Sequence, residues 1–456
     1  MDRILTAQEL ATDMPPRAED QNLVRSLGDA AFFGGMVGCG ETYFSAFALA
    51  VGLGETAAGL VASVPLVAGG TLQLISPWAI RWLGSLRRWI VTGAVLQAAA
   101  FIPLAVAAWY GALSLTLLLL IASLYWAAGL ATGPAWNTWI EQVVPAGQRA
   151  RFFSRRSRLQ QFTTFAALLA AGGMLQWSSQ RGFALLGFAA LFCAAGSLRL
   201  VSAWFLHRTN APPLAPTNML VAPLLPDASG AQTPPTSAKR LLAYLVLMQV
   251  FVQFSGPFFV PYMLERLDFS YGTFVAMISL AFVSKVFSMT FWGRVAEQRG
   301  AGKVLWLGGI GLVPLSALWI VSTNVVWLAV IQIVSGVAWA AYELGFFLMF
   351  FETLPAGQRT RLLTYYNFAN TLAMAAGAMA GAGLLYVFGC HSESYYWLFG
   401  VSSAGRLLCL GVLSGIALPT HSLRAIRMRI LAVRPGASSV VSPVTASAEE
   451  PADAPS

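Results

Sequence analysis

The chain has 456 residues, of which 57% are hydrophobic and only 10% are charged, and its mean hydropathy is +0.66. A soluble domain usually carries about 25% charged residues, so this composition excludes a soluble fold and indicates a membrane protein with many spans. Lys and Arg together number 28 against 19 for Asp and Glu, and the placement of these cations decides whether the excess marks a partner or a topology.

Twelve apolar runs are long enough to cross a hydrocarbon core of about 30 Å, which needs about 20 helical residues. Helices are expected because lipid offers no partner to an open backbone. The first six runs are 29–51, 56–80, 89–109, 113–143, 159–177 and 183–206. The second six are 240–263, 271–293, 303–321, 326–353, 363–387 and 395–418. The sequence therefore predicts an all-α membrane protein of twelve transmembrane helices in two six-helix bundles.

Polar segments flank and divide the two bundles. The first apolar run is too long and continuous for a cleaved signal peptide, so it is expected to remain as the first span. The linker is rich in Pro, Ala, Thr and Ser, which favours a flexible chain, and the tail is expected to be disordered. The predicted domains are a cytoplasmic N-terminal segment (1–28), a first bundle (29–206), a cytoplasmic linker (207–239), a second bundle (240–418) and a cytoplasmic tail (419–456).

A short stretch occurs twice, 210 residues apart (355 − 145 = 210). Pro-Ala-Gly-Gln-Arg-Ala-Arg at 145–151 returns as Pro-Ala-Gly-Gln-Arg-Thr-Arg at 355–361. Each copy follows an apolar run that ends in an acidic residue, Glu141 or Glu352, and precedes another apolar run. The repeat indicates a duplication in which both copies join equivalent helices, four to five and ten to eleven.

The loops on one face of the predicted bundles collect nearly all of the Lys and Arg residues. With the amino terminus inside, only Arg181 and Arg266 fall on the outer face, which satisfies the positive-inside rule. Topology therefore explains the positive excess, and no nucleic-acid partner is expected. We expect a multi-pass protein of the cell membrane, in a bacterium the inner membrane, with both termini in the cytoplasm and the lipid bilayer as its surroundings.

Catalytic and metal-binding patterns do not occur in the sequence. The four cysteines have no CxxC or metal-ligand spacing, and the three histidines lie outside the apolar runs. No nucleophile and base share a helical spacing, and no Gly-x-x-x-x-Gly-Lys-Ser/Thr loop is present. We therefore expect no cofactor, no metal site, no enzymatic activity and no ATP-driven transport.

Twelve spans in two parallel six-helix halves, joined by a long cytoplasmic linker, resemble the major facilitator superfamily of secondary transporters. That family carries a Gly-x-x-x-acid-x-x-Gly loop, followed by basic residues, between helices two and three and between helices eight and nine. The second half matches this signature at Gly293, Glu297 and Gly300. In the first half Pro77 and Arg81 replace the first glycine and the acid, and only Gly84 remains.

The resemblance implies that these loops and the duplicated loops act in gating on the cytoplasmic face. The family signature acts there as a charge latch between helix ends, and Glu141 is a hypothetical substitute for the acid that the first half lacks. The predicted gating residues are Arg81, Gly84, Glu141, Arg149, Arg151, Gly293, Glu297, Gly300, Glu352, Arg359 and Arg361.

Ionisable residues inside the spans are the candidates for proton coupling or solute binding, because each costs about 2.5–3.5 kcal/mol at the bilayer centre. They are Glu41 in helix one, Lys285 in helix eight and Glu343 in helix ten. The resemblance places helices one and ten on the central path, so we expect at least one of the two glutamates to bind a proton or the solute. The alternative is that Lys285 and Glu343 neutralise each other as a structural pair. Glu41 would be protonated, pair with the solute or pair across the cavity with Lys285.

Neutral side chains in the spans supply further cavity candidates, which are Tyr43, Trp136, Asn137, Gln249, Gln253 and Trp339. They suit a small organic solute with hydrogen-bonding groups and an apolar or aromatic part. Two arginines occupy related places in helices six and twelve. We expect Arg199 to snorkel inward and Arg406, which lies deeper, to form a structural pair.

The leading interpretation is a monomeric secondary active transporter that moves a small organic solute by alternating access. Coupling to protons is expected through Glu41 or Glu343. The alternative is an uncoupled facilitator, a lipid translocator or a membrane sensor with the same fold, in which the buried charges are structural.

Overall fold

The computed structural model describes residues 16–72, 75–144, 149–210, 236–353 and 359–414. The regular elements in these ranges are helices, and they group into twelve that follow the twelve predicted runs in order. We number them α1 to α12. The all-α fold predicted from the apolar runs is confirmed.

Two helices of the first half are interrupted. The α1 helix runs over Pro16–Cys39 and Phe44–Ala50 with a 3-10 turn at Glu41–Tyr43 between them, and α2 consists of Glu55–Val61, Pro65–Leu72 and Ser76–Leu83. The remaining helices are α3 (Leu86–Tyr110), α4 (Leu115–Val143), α5 (Arg149–Gln180) and α6 (Ala184–Arg208).

The second half repeats this plan with interruptions in α7 and α9. The α7 helix consists of Thr236–Ser255, a 3-10 turn at Gly256–Phe258, Phe259–Pro261 and a π-helical end at Tyr262–Arg266. The α9 helix has two pieces, Ala301–Leu312 and Leu318–Val321. The remaining helices are α8 (Tyr271–Arg299), α10 (Val325–Thr353), α11 (Arg359–Phe388) and α12 (Ser392–Ser414).

Helix α1 begins well before Asp29, where the first apolar run begins. Its first turns, which lie in the predicted segment 1–28, pack on the end of α6, where Asn22 Nδ2 donates to the Asn210 carbonyl over 2.7 Å. Helix α7 likewise begins inside the predicted linker 207–239. The predicted tail 419–456 and linker residues 211–235 lie outside the described residues.

Nine helical spans in the described residues are long and apolar enough to cross a membrane. They are α2, α3, α4, α6, α7, α8, α10, α11 and α12. Three helices are not among these nine. The continuous pieces of α1 and α9 are broken by the interruptions described above, and α5 carries many polar residues. These features mark a multi-pass membrane protein whose irregular helices are covered by their neighbours.

Three apolar cores divide the molecule into a joined end and a separated end. One core contains buried side chains of both halves, for example Phe47 and Phe192 with Phe258 and Phe399. Each of the other two cores of the described residues belongs to one half. The core of the first half surrounds Trp139, and the core of the second half consists of residues between 238 and 413. We call the end with the shared core, where α1 ends and α2 begins, the junction end, and the opposite end the separated end.

The first helix of each half is broken at a corresponding place. A 3-10 turn interrupts α1 at Glu41–Tyr43 and another interrupts α7 at Gly256–Phe258. A Cβ atom at Gly40 would lie 2.6 Å from the Phe101 ring, so only glycine fits before the first break. The second break has Pro257 in its first turn, where proline removes a backbone donor. Both breaks therefore have a local cause in the sequence.

Candidate functional site

A buried ion pair joins α8 to α10 in the second half. Lys285 Nζ donates to Glu343 Oε1 over 2.6 Å, and both side chains are less than a tenth exposed. These are two of the three ionisable residues that the sequence placed inside the bilayer. The structure brings them together in the way that the structural-pair alternative requires.

A cavity lies beside this ion pair, between α7, α8, α9, α10 and α12. Its aromatic wall is formed by Phe259, Phe282, Trp319 and Trp339. Its polar groups come from Lys285, Ser316, Gln332, Ser335 and Arg406. This combination of an apolar wall with a few polar groups is typical of small-molecule sites.

Arg406 lies on the wall of this cavity and is only 3% exposed. Its Nη1 donates to the Leu312 carbonyl over 3.0 Å, and its Nη2 donates to Ser255 Oγ over 3.1 Å. Its Nε finds no hydrogen-bond partner in the described part of the chain. Ser255 in turn bonds Ser316 and Ser402 at 3.0 and 2.9 Å. The contacts of Arg406 are thus with hydroxyl and carbonyl groups, and the charged partner that the expected structural pair needs is not found among the described residues.

The first half holds its buried cations in a network around Asp29. Arg156 Nη2 contacts Asp29 Oδ2 at 2.7 Å, and the Ser202 hydroxyl donates to Asp29 Oδ1 over 2.8 Å. Arg199 donates to Ser202 Oγ over 2.6 Å and to Gln97 Oε1 over 2.9 Å. Arg199 is only 6% exposed, so the prediction that it snorkels inward is wrong, because these two side chains give it buried acceptors. Sequence reasoning missed the Asp29 network because Asp29 and Arg156 were both placed at span edges.

Glu41 lies in the break of α1 and accepts a hydrogen bond from the Tyr125 hydroxyl over 2.7 Å. It is partly exposed. The neighbouring Tyr43 is fully buried and donates to the Leu168 carbonyl over 2.8 Å. Tyr43 therefore packs α1 against α5, whereas Glu41 and Thr42 of this break remain partly accessible.

Of the other predicted cavity residues, Trp339 lines the cavity. Trp136 does not: its ring lies under the Arg156 guanidinium, whose Cζ atom is 4.4 Å from the ring centre. Gln249 and Gln253 are buried in α7, and neither polar atom of the Gln253 amide has a hydrogen-bond partner among the described residues. The side chain of Asn137 lies outside the described part of the structure.

The predicted gating residues lie at the separated end, where their backbone is partly described. Gly84 ends α2 with φ +64° and Gly300 separates α8 from α9 with φ +86°, conformations that favour glycine. Gly293 is buried, whereas Arg81 and Glu297 are exposed and form no ion pair with another described residue. The side chains of the remaining gating candidates lie outside the described part of the structure. These candidates are Glu141, Arg149, Arg151, Glu352, Arg359 and Arg361.

A polar network closes the junction end between the halves. Glu55, at the start of α2, accepts hydrogen bonds from Arg266 Nε at 2.9 Å and from the Tyr395 hydroxyl. Beside it, Thr56 Oγ1 lies 3.7 Å from Cys390 Sγ. Sequence reasoning missed this network, although Arg266 was one of only two cations predicted on that face and therefore called for a partner.

Both the sequence and the fold of this chain are similar to those of known proteins. The Major Facilitator Superfamily profile matches residues 30–378 and also residues 241–423. No curated protein sequence matches the chain. The fold is similar to that of the nucleoside transporter NupG, with a TM-score of 0.64 and 13% identity over 88% of this chain and 98% of NupG.

Two further solved structures are similar over the same length. A bacterial homologue of the iron transporter ferroportin in its inward-facing state gives a TM-score of 0.64 and 17% identity over 88% of this chain and 99% of that protein. A D-xylose-proton symporter gives a TM-score of 0.61 and 16% identity over 88% and 97%. The resemblance drawn from the sequence is confirmed, and the fold is that of a transporter and not of an enzyme. The chain belongs to the major facilitator superfamily.

Proposed function

We propose that the chain is a secondary active transporter that moves a small organic solute across the cell membrane by alternating access, as a monomer. The observation that carries this proposal is the shared apolar core at the junction end, set against two single-half cores at the separated end. Under the predicted topology the junction end faces outside, so the shared core supports a conformation closed to the outside; we propose that it is open towards the cytoplasm, where the described residues form no core common to both halves. A path between two halves of one chain needs no second subunit.

The junction end has the contacts expected of a gate that opens and closes. Glu55 of the first half accepts from Arg266 and Tyr395 of the second half, and Gln176 Oε1 accepts from the Gly272 amide at 2.9 Å. These are a few polar contacts over a packed aromatic layer. Breaking them requires no unfolding of either half, because each half also keeps a core of its own.

We further propose that Glu343 couples transport to protons through its contact with Lys285. A proton on Glu343 removes the carboxylate charge and frees the Lys285 ammonium on the wall of the cavity. The two states of the pair then differ in the charge that the cavity presents to a solute. Glu41, bonded to Tyr125 in the break of α1, is the second candidate for this role.

A disulfide across the junction end tests alternating access. A Thr56→Cys variant places a thiol beside the native Cys390, within reach of the disulfide geometry. We expect oxidation to join residues 56 and 390, detected by mass spectrometry of the linked peptides. We expect the oxidised protein to lose solute counterflow in proteoliposomes and to regain it on reduction.

The matched control is Thr56→Cys with Cys390→Ala, which leaves the other three cysteines in place and should stay active under the same oxidant. Undiminished counterflow in the fully cross-linked variant would contradict alternating access through this gate.

Proton coupling is tested by solute-induced proton flux in proteoliposomes, screened over a library of solutes. We expect Glu343→Gln to lose proton flux and to keep counterflow, whereas Glu41→Gln keeps both if Glu343 is the coupling group. The double variant Lys285→Met, Glu343→Gln separates coupling from structure. Retention of proton flux in the double variant would show that the pair is structural, and solute movement independent of any ion gradient in the wild type would identify a facilitator.

A further inference from the structure

The charge of Arg406 is not matched by any acidic group of the described residues. Its partners are the Leu312 carbonyl and the Ser255 hydroxyl, and Ser255 bonds only to further serines. The three ion pairs of the described residues are Asp29 with Arg156, Glu55 with Arg266 and Glu343 with Lys285. A buried charge is ordinarily paired or coordinated, because its desolvation is costly. Arg406 therefore requires a counter-anion that these residues do not supply.

The surroundings of Arg406 offer room for such an anion. Arg406 lies on the wall of the cavity, whose other cation, Lys285, is already neutralised by Glu343. The Arg406 Nε–H has no acceptor among the described residues and is itself buried, so an anion in the cavity has to draw the guanidinium towards it to form the two parallel hydrogen bonds that arginine donates to a carboxylate. The cavity thus combines one cation that has no carboxylate partner among the described residues with the partly exposed hydroxyl and amide groups of Ser335 and Gln332.

The remainder of the cavity wall fits an apolar or aromatic body. Phe259, Phe282 and Trp319 lie on it, and Phe259 contacts Trp319 with ring centres 5.0 Å apart. Flat rings pack well against such a wall, and their edges and faces add favourable contacts. A purely hydrophilic ion, such as phosphate, would leave this wall unfilled.

We infer that this cavity binds a small organic anion, a carboxylate on an aromatic or apolar body, with Arg406 as the group that binds the carboxylate. The inference deepens the proposed function and rests on it only where it identifies the anion as the transported solute. If the anion is the transported solute, the Lys285–Glu343 pair also sets the number of protons that move with each anion. A proton on Glu343 frees Lys285, so the cavity gains one positive charge for each proton bound, which favours movement of an anion together with a proton.

Binding to the purified full-length protein in detergent tests the inference directly. The probes are benzoate and its uncharged analogue benzamide. Their binding is measured by calorimetry and by the fluorescence of the cavity tryptophans. We expect benzoate to bind about tenfold or more tightly than benzamide, because a charge-assisted hydrogen bond contributes about 1.5–3 kcal/mol. We expect Arg406→Gln to remove that preference and Arg406→Lys to keep part of it.

Two further variants keep the test decisive if Arg406→Gln folds poorly. Ala281→Phe places a ring in the cavity and leaves Arg406 in place, and it should weaken benzoate binding about tenfold or more. Arg181→Gln removes an exposed arginine of the first half, which contacts Trp177, and should bind benzoate as the wild type does. Equal binding of benzoate by wild type and Ala281→Phe would overturn the inference.

The outcomes distinguish this inference from the proposed function. Proton flux driven by an uncharged solute, with no binding of benzoate, would leave the transporter standing and overturn the anion site. Benzoate binding that depends on Arg406, without solute-driven flux, would support the site and contradict the transport proposal. Arg406-dependent binding of phosphatidylglycerol in mixed micelles, with no response to benzoate, would assign the site to a lipid and overturn the inference as well.

Discussion

The last helix of each half carries a buried arginine at nearly the same place, and the two halves treat it differently. Arg199 lies 15 residues after the start of α6 (199 − 184 = 15) and Arg406 lies 14 residues after the start of α12 (406 − 392 = 14). Arg199 joins a network that contains Asp29, whereas Arg406 contacts a hydroxyl and a carbonyl beside a cavity. The carboxylate of the first half pairs with Arg156 and reaches Arg199 through Ser202, whereas no carboxylate of the described residues takes part in the contacts of Arg406, which we propose are completed by a ligand.

This difference shows that a duplicated fold can keep one half as scaffold and use the other for recognition. A closed network fixes α1, α5 and α6 together, because removal of any member leaves a buried partner unsatisfied. In the second half, removal of Arg406 from the protein without ligand leaves no buried carboxylate of the described residues without its partner. Stability measurements on matched variants of the two halves therefore test the comparison.

The largest effect is expected for Asp29→Asn. This change removes the carboxylate from Arg156, and loss of one partner of a buried ion pair typically costs about 3–5 kcal/mol. We expect a correspondingly lower free energy of unfolding, measured by chemical denaturation in detergent. Ser202→Ala, which removes the hydroxyl between Asp29 and Arg199 but leaves the Asp29–Arg156 ion pair in place, is the control and should cost less, about 1–3 kcal/mol. Equal stability of Asp29→Asn and wild type would remove the distinction between the halves.

A smaller effect is expected from the matched pair Arg199→Met and Arg406→Met. Arg199→Met leaves Gln97 Oε1 without its donor and should cost about 1–3 kcal/mol, since a buried unsatisfied acceptor loses its hydration. Arg406→Met leaves the Leu312 carbonyl without its donor but also removes a buried charge that has no counter-charge among the described residues, and Ser255 keeps its two serine partners; because these effects offset, the free energy of unfolding should change by less than about 1 kcal/mol. Equal losses in the two variants, by the same denaturation assay, would mean that Arg406 is as structural as Arg199.

The smallest effects, with opposite signs, are expected for Tyr43→Phe and Gln253→Leu. Tyr43→Phe loses the hydrogen bond to the Leu168 carbonyl and should destabilise by about 1 kcal/mol without impairing transport. Gln253→Leu removes a buried amide that has no partner in the described residues, so it should be neutral or stabilising by about 1 kcal/mol. We expect Gln253→Leu to lower counterflow, whereas stabilisation with full counterflow would exclude Gln253 from the solute path.

Local properties of the chain made the helices predictable. The apolar runs identified twelve helices because each span needs about 20 apolar residues, and the breaks in α1 and α7 moved none of them out of order. The Lys285–Glu343 contact was foreseen as an alternative because both residues lie in the middle of spans that few other charges enter. Such isolated charges have few choices of partner.

Contacts across the two halves or at span ends were not predictable in this way. Glu55 and Arg266 lie 211 residues apart, and each reads as a solvated loop residue on its own. Arg199 reads as a snorkelling residue because the side chains that satisfy it, Gln97 and Ser202, are neutral and common in helices. Which face of each helix meets which neighbour is a property of packing, and a single sequence does not encode it in any local pattern.

The broken first helices have a mechanical consequence. A continuous helix is stiff along its length, whereas a 3-10 turn replaces part of its regular hydrogen bonding and concentrates bending at one point. Because α1 and α7 are interrupted at corresponding places, each half can tilt the end of its first helix at the junction end while the rest stays fixed. The gate then bends at these two points, and opening has to break the contacts at the junction end, among them that of Glu55 with Arg266, which lies on the α7 segment beyond its break.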